Sequence, residues 1–378
     1  MTKRVITVTK KDNEKYEENI FETLTLDQDT LRASLEKTRT FIKVQPPTPD
    51  TSVPNIDKRF AVKNKLGEGA FGLVELLEDN HIGRNVARKS FKHADQMAFL
   101  EYEREVHIVG RLDHPGIPMI FDVGVDQEHP YLLMKYVEGQ TLREIIMKLA
   151  HGKEETHTKY PFVRRANIIK ELLRVLIASH EKGIVHRDIK PANIMVADNG
   201  EVYLMDWGIA MDININDTED TICGTPLYMP PEQVKGGPIR PYTDTFSLGM
   251  VFYHLMTLHP PRKIKPLDSM LRSIASEIPP PPDTRYHKSQ GYNPSEYRSI
   301  IERAIALDPE RRFQSAKDML MELENVLNGN ICSRCPRTLI KGYVYKYFAF
   351  IDKRSYFALG LSAIVLMTLV ISLVGLGM

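Results

Sequence analysis

The apolar positions divide the chain into unlike stretches. Residues 1–57 are polar and charged. They carry only a weak helical period near 31–42 and a proline-rich run, Gln45 to Asn55 (QPPTPDTSVPN), that reads as a linker. From about Phe60 the texture changes. Alternating apolar residues broken by glycines over 60–89 predict a hairpin-built sheet. A helical period over 97–112 predicts a helix, and strand-like runs return at 119–125 and 131–137. Beyond Thr141 the period is mostly helical, interrupted by short strands around 194–196 and 202–205. A sheet-rich start and a helix-rich remainder predict an α+β unit of two lobes over 58–327, with a small β-rich N-lobe and a large helical C-lobe. No internal repeat is present.

The end of the chain has another character. Residues 357–378 (FALGLSAIVLMTLVISLVGLGM) carry no charge. At about 1.5 Å per residue such a run spans a hydrocarbon core of about 30 Å. A buried core helix is the bland alternative, but core helices seldom run so long without a polar face. One C-terminal transmembrane helix is therefore expected. The preceding segment, 328–356, holds Arg334, Arg337, Lys341, Lys346, Lys353 and Arg354 against Asp352. That excess places the N-terminal side of the span in the cytoplasm. The expected location is the cytoplasmic (inner) membrane, single-pass, with the folded unit in the cytoplasm. The start, MTKRVITVTK, has no apolar stretch, so no cleavable signal peptide is expected.

Composition changes this picture little. Hydrophobic residues at 42% and charged residues at 26% suit a globular core, and a net charge of +1 gives no reason to expect a nucleic-acid partner. Three cysteines, Cys223, Cys332 and Cys335, are too few for a disulfide framework and fit a reducing compartment. Cys332-Ser-Arg-Cys335 is a lone CxxC. A zinc site would need two more ligands, and none lies nearby in sequence.

Three stretches carry chemistry. In Leu66-Gly-Glu-Gly-Ala-Phe-Gly-Leu-Val74, three glycines between strand-like segments would let backbone amides close over a triphosphate without Cβ clashes. The same spacing occurs in dinucleotide folds, but those follow it with a long helix, and here more strand follows. Val86-Ala-Arg-Lys89 would, on an alternating strand, point Ala87 and Lys89 to one face. The small residue leaves room for a base, and the cation can reach phosphates. Alone, Lys89 could equally be a surface lysine. Glu105, in the helical stretch that follows, is a plausible partner for it. The decisive stretch is Ile184-Val-His-Arg-Asp-Ile-Lys-Pro-Ala-Asn193, followed by Leu204-Met-Asp-Trp-Gly208. Asp188 offers a carboxylate for a hydroxyl proton, and Lys190 can neutralise a γ-phosphate. Asn193 and Asp206 offer the hard oxygens that Mg²⁺ requires.

On these motifs residues 60–327 resemble the eukaryotic-like Ser/Thr protein kinases, with a bacterial flavour in Asp206-Trp-Gly208 and in Pro230-Pro-Glu232. The resemblance implies a bilobal protein-kinase fold, and ATP and Mg²⁺ as cofactors. The catalytic set it implies is Asp188, Lys190, Lys89 and Glu105, with Asn193 and Asp206 on the metal. The nucleotide would be held by Leu66, Gly67, Glu68, Gly69, Ala70, Phe71, Gly72, Leu73, Val74, Ala87, Lys89, Met134, Lys135, Val137 and Met195. Met134 would sit before the hinge. Gly224 to Glu232 (GTPLYMPPE) resembles the segment that docks the substrate peptide, with Thr225 a docking residue. Asp244 and Arg312 would support the large lobe, Arg312 pairing with Glu232. Trp207 would pack inward near Val109, Ile120 and His186. Arg187 would bind a phosphate on Thr221, or on Thr218 as well, after autophosphorylation, for which a homodimer acting in trans is a further expectation. The implied partners are protein substrates with Ser or Thr acceptors. A pseudokinase that binds nucleotide without catalysis is the competing class. A lipid or small-molecule kinase is disfavoured by the docking phrase.

Overall fold

A computed structural model describes residues 59–68, 72–91, 96–126, 129–215, 224–263 and 265–329. The N-terminal segment, Gly69 to Phe71, Thr218, Thr221, all three cysteines, the basic segment from residue 330 and the expected membrane helix lie outside the described residues. Among the described residues no helix is long and apolar enough to cross a membrane.

The small lobe is one antiparallel sheet. Its strands are β1 (Phe60–Glu68), β2 (Leu73–Asp79), β3 (Arg84–Ser90), β4 (Ile120–Asp126) and β5 (His129–Lys135), in spatial order β1-β2-β3-β5-β4. Alternation gives each face its own job. On one face Val86 packs with Leu77, Tyr131 and Leu133. On the other, Phe91 and Leu132 meet Met134 and Tyr102 of helix α1 (Gln96–Gly110). The register sets Ala87 opposite Met134 and Lys89 opposite Leu132. Lys89 is thus carried on the middle strand, in the sheet interior.

The large lobe is helical. Its elements are α2 (Leu142–Ala150), α3 (Glu154–Lys159), α4 (Phe162–Glu181), α5 (Pro231–Lys235), α6 (Pro241–Thr257), α7 (Leu267–Ser276), α8 (Arg298–Ala304) and α9 (Ala316–Leu327). A capping box between Thr141 and Glu144 starts α2. Helix α4 buries Ile169, Leu172, Leu173 and Leu176, the three-and-four spacing of an apolar stripe, and α9 packs on it. Every residue of α6 from Thr243 to Thr257 is buried, which makes it the axis of the lobe. At Gly249 a Cβ would lie 2.6 Å from the Cβ of Ala304, so α6 and α8 approach almost to backbone contact.

Between the lobes lies a platform of short strands. These are β6 (Gly139–Thr141), β7 (Ile184–Val185), β8 (Ile194–Ala197), β9 (Val202–Leu204) and β10 (Met211–Asp212). Strands β6, β8 and β9 pair in that order, and β10 pairs with β7. The runs at 194–196 and 202–205 form β8 and β9 as expected. The two-residue pieces β7 and β10 were not foreseen, nor was the hairpin β11 (Tyr286–His287) and β12 (Gly291–Tyr292). Two residues are too few to show an alternation.

Candidate active site

The site forms where the sheet meets the platform. Lys89 of β3 is buried, and its Nζ donates to Glu105 Oε2 at 2.6 Å and to Asp206 Oδ1 at 2.8 Å. One ammonium therefore joins the sheet, helix α1 and the loop after β9. Burial works against the charge on Lys89, but Asp206 and Glu105 together outweigh it and raise its pKa. Burial holds Glu105 above the usual carboxylate range, against the pull of Lys89. Burial also pushes Asp206 up, but the Lys89 ammonium outweighs it and, with Lys190 and His186, holds Asp206 down at about 2. Asp206 is fully ionised at neutral pH.

Asp206 has φ +61° and Arg187 has φ +70°. Both are side-chain-bearing residues in the left-handed region, a strain of about 1–3 kcal/mol each that surrounding contacts must hold. For Arg187 the holder is visible. Fully buried Asp244 of α6 accepts from the backbone N–H of His186 at 2.8 Å and of Arg187 at 3.0 Å. His180 Nε2 lies 2.8 Å from the same carboxylate. Burial pushes Asp244 up, yet the His180 contact and the charge around it keep it below the usual range.

Asp188 follows directly. Its Oδ2 lies 2.7 Å from Lys190 Nζ and accepts from Asn193 Nδ2 at 3.1 Å, and its Oδ1 accepts from Thr225 Oγ1 at 2.7 Å. A carboxylate offers about four acceptor positions, so these three donors leave room for one more on Oδ1. Asn193 donates a second time, to the Asp188 carbonyl at 3.0 Å, so its amide nitrogen faces Asp188 and its carbonyl oxygen is not consumed there.

The remaining predicted residues fall around this centre. Ala87, Met134 and Val137 are placed by β3, β5 and the turn beyond it. Val137 and Met195 pack together with Tyr203, Ala197 and Met205. Lys135 Nζ donates to the Tyr203 hydroxyl at 2.5 Å, fastening the end of β5 to β9. Leu66, Glu68, Leu73 and Val74 lie on the β1–β2 hairpin, with Gly67 opposite Val74. Among the described residues nothing lies within 4 Å of where a Gly67 Cβ would be, whereas at Gly72 a Cβ would sit 2.2 Å from the Ser90 carbonyl oxygen. The first glycine leaves room for a ligand, and the second is demanded by the sheet itself. Trp207 is buried, edge-on to His186 with ring centroids 4.6 Å apart, and belongs to the same apolar cluster as Val109 and Ile120. Its indole N–H donates to the Leu204 carbonyl at 3.1 Å, a bond that a phenyl ring could not make. Arg312 pairs with Glu232 through two bonds, of 2.7 and 2.9 Å.

Sequence reading missed two residues here. His180 lies in an amphipathic helix, where nothing marks it off from a surface histidine. Arg262 follows two prolines that signal a loop but not the direction of the side chain.

The donor set fits a magnesium nucleotide. Among the described residues no cluster of three or more His, Cys, Asp or Glu could hold a metal unaided. An amide oxygen and one carboxylate, completed by phosphate oxygens and water, is how Mg²⁺ is commonly bound.

The protein kinase domain family matches residues 60–323. The chain is 32% identical over 292 residues to serine/threonine-protein kinase PknB of Mycobacterium tuberculosis, an alignment covering 74% of this chain and 44% of that protein. It is also 32% identical to PknB of Mycolicibacterium smegmatis, over 74% of this chain and 44% of that one. Against a probable serine/threonine-protein kinase of Clostridium acetobutylicum the identity is 32%, over 73% and 41%. The chain spans less than half the length of the curated relatives it matches. With the fold, the Lys89–Glu105–Asp206 cluster and the Asp188 network on the same footing, the chain belongs to the protein kinase family, in its eukaryotic-like Ser/Thr branch.

Proposed function

We propose that this chain transfers the γ-phosphoryl group of ATP to Ser and Thr hydroxyls of proteins, from a domain tethered to the cytoplasmic membrane by residues 357–378. The observation that carries the reading is Asp188. Its carboxylate is fixed by Lys190, Asn193 and Thr225, with one acceptor position left. An incoming hydroxyl that donates there has its proton directed to a fixed base and its oxygen directed outward. Lys190, beside that oxygen, offers positive charge to the group in transfer. Lys89, steadied by Glu105, is the cation for the other phosphates. Asn193 and Asp206 would hold Mg²⁺, which neutralises phosphate charge when bound. Lys190 within His186-Arg-Asp-Ile-Lys190 resembles the Ser/Thr class, in agreement with the similarity to the serine/threonine-protein kinase PknB.

Thr221, with Thr218, is the proposed site of autophosphorylation, in trans within a homodimer, because Arg187 adjoins the catalytic Asp188. The tether rests on the uncharged run at 357–378 and its basic flank. A nucleotide-binding scaffold without catalysis is the alternative.

The test is phosphotransfer by the full chain in membranes, with γ-labelled ATP, Mg²⁺ and a protein acceptor. Label should appear on Ser and Thr, including Thr221, and the chain should sediment with membrane. Removing residues 357–378 should release an active soluble enzyme. Nucleotide binding without transfer would favour the scaffold, and a truncated chain that still sediments would overturn the tether.

A further inference from the structure

Arg262 lies in the loop between α6 and α7, far in sequence from every motif above, yet it is buried beneath the Thr225–Met229 stretch. Its Nη1 donates to the carbonyls of Pro226 at 3.1 Å, Leu227 at 3.2 Å and Met229 at 2.9 Å. The stretch itself is a tight turn, with Tyr228 N–H bonded to the Thr225 carbonyl at 3.0 Å. Its front end is tied to Asp188 through Thr225, and helix α5, just beyond its back end, is tied to Arg312 through Glu232. Arg262 is the fastening of the middle.

This fastening is costly. Among the described residues, the buried Nε and Nη2 of Arg262 find no hydrogen-bond partner, and no carboxylate forms an ion pair with them. Burial pulls its pKa down to about 9, with Glu277 acting against that. Its guanidinium faces the Phe246 ring at 5.7 Å. A buried charge that no carboxylate contacts directly is weak as a stabilising device, and an apolar residue of similar volume often serves stability as well or better. What the arginine supplies is shape. Three carbonyls converge on one nitrogen, and this fixes the backbone of the stretch that begins at Thr225.

We propose that Arg262 is a positioning residue for the protein substrate: it holds the 225–229 stretch in the conformation that receives the acceptor peptide beside Asp188. The inference rests on the kinase reading above. It places no demand on nucleotide binding, because Arg262 touches none of the residues around Lys89 and Asp206.

The test uses the full chain with a peptide acceptor, comparing wild type with Arg262→Met, which keeps the volume and removes the donors, and Arg262→Lys, which keeps a cation that can reach carbonyls. Peptide KM should rise about tenfold or more in Arg262→Met, equivalent to about 1.4 kcal/mol. The KM for ATP should stay within about twofold, kcat should fall less than peptide KM rises, and Arg262→Lys should recover part of the loss. An unchanged peptide KM in Arg262→Met, or equal losses for peptide and ATP, would overturn the proposal. So would a Lys variant as impaired as the Met variant while both keep the wild-type thermal midpoint. Absence of transfer by wild type would instead defeat the kinase reading on which the proposal rests.

Discussion

His254 shows what burial does to a single side chain. It sits on α6 with its Nδ1 2.7 Å from the hydroxyl of Tyr228, inside the 225–229 stretch. Burial, with His259 acting in the same direction, pushes it down to about 3. Unfolded, a histidine titrates near 6.5. Between those values the unfolded chain binds the proton and the native one does not. The native state is favoured by this group above about pH 6.5, and that stability is lost as pH falls toward 3, at up to about 1.4 kcal/mol per pH unit. Glu105 works the other way: its raised pKa favours the native state as pH falls toward and below its unfolded value. We predict that the thermal midpoint drops between pH 7.5 and 5.5, and that the drop is shallower in His254→Gln. Parallel pH profiles for the two proteins would refute the assignment. Nothing in Phe252-Tyr-His254 sets this histidine apart, since its environment comes from α6 being buried all round.

Among the elements, the side chains that carry chemistry could be read from the sequence, and the resemblance added the Trp207 packing and the Arg312–Glu232 pair, whereas short strands and contacts between distant loops could not be read. The glycine-rich hairpin, the 184–193 stretch and Asp206 could be read directly, because phosphate, proton and metal chemistry each require particular groups at particular spacings. The separation of Ala87 and Lys89 from Val86 and Arg88 followed from strand alternation alone. By contrast, β7 and β10 are too short to carry a pattern, and the β11–β12 hairpin follows a run of four prolines that signals only a loop. Arg262 and the Trp207–Leu204 bond depend on elements brought together from afar. Helix α6 holds the backbone just before Asp188 through Asp244. Asp244→Asn would replace one acceptor with a donor facing donors, next to Arg187 at φ +70°. The expected cost is about 2–4 kcal/mol. That lowers the midpoint by roughly 5–15 °C for a domain of this size. Phosphotransfer should fall with it. A midpoint within about 2 °C of wild type would show that the 186–187 backbone does not depend on this carboxylate.

For the molecule as a whole, the working parts straddle two lobes that differ in architecture. The sheet supplies Lys89, α1 supplies Glu105, and the platform supplies Asp188, Asn193 and Asp206. The bond between Lys89 and Asp206 crosses the divide at 2.8 Å. Neither lobe alone holds the set, so activity requires both in this arrangement. In the proposed function Asp188 directs a protein hydroxyl while the Lys89 cluster holds the nucleotide, two tasks assigned to separate groups. One substitution separates them. Asp188→Asn keeps the shape and removes the charge that takes the proton, so it should reduce phosphotransfer to a protein acceptor by about 100-fold or more. ATP affinity, measured by equilibrium binding in Mg²⁺, should change by no more than a few-fold. Transfer that survives in Asp188→Asn at near the wild-type rate, or nucleotide affinity lost together with transfer, would contradict the account.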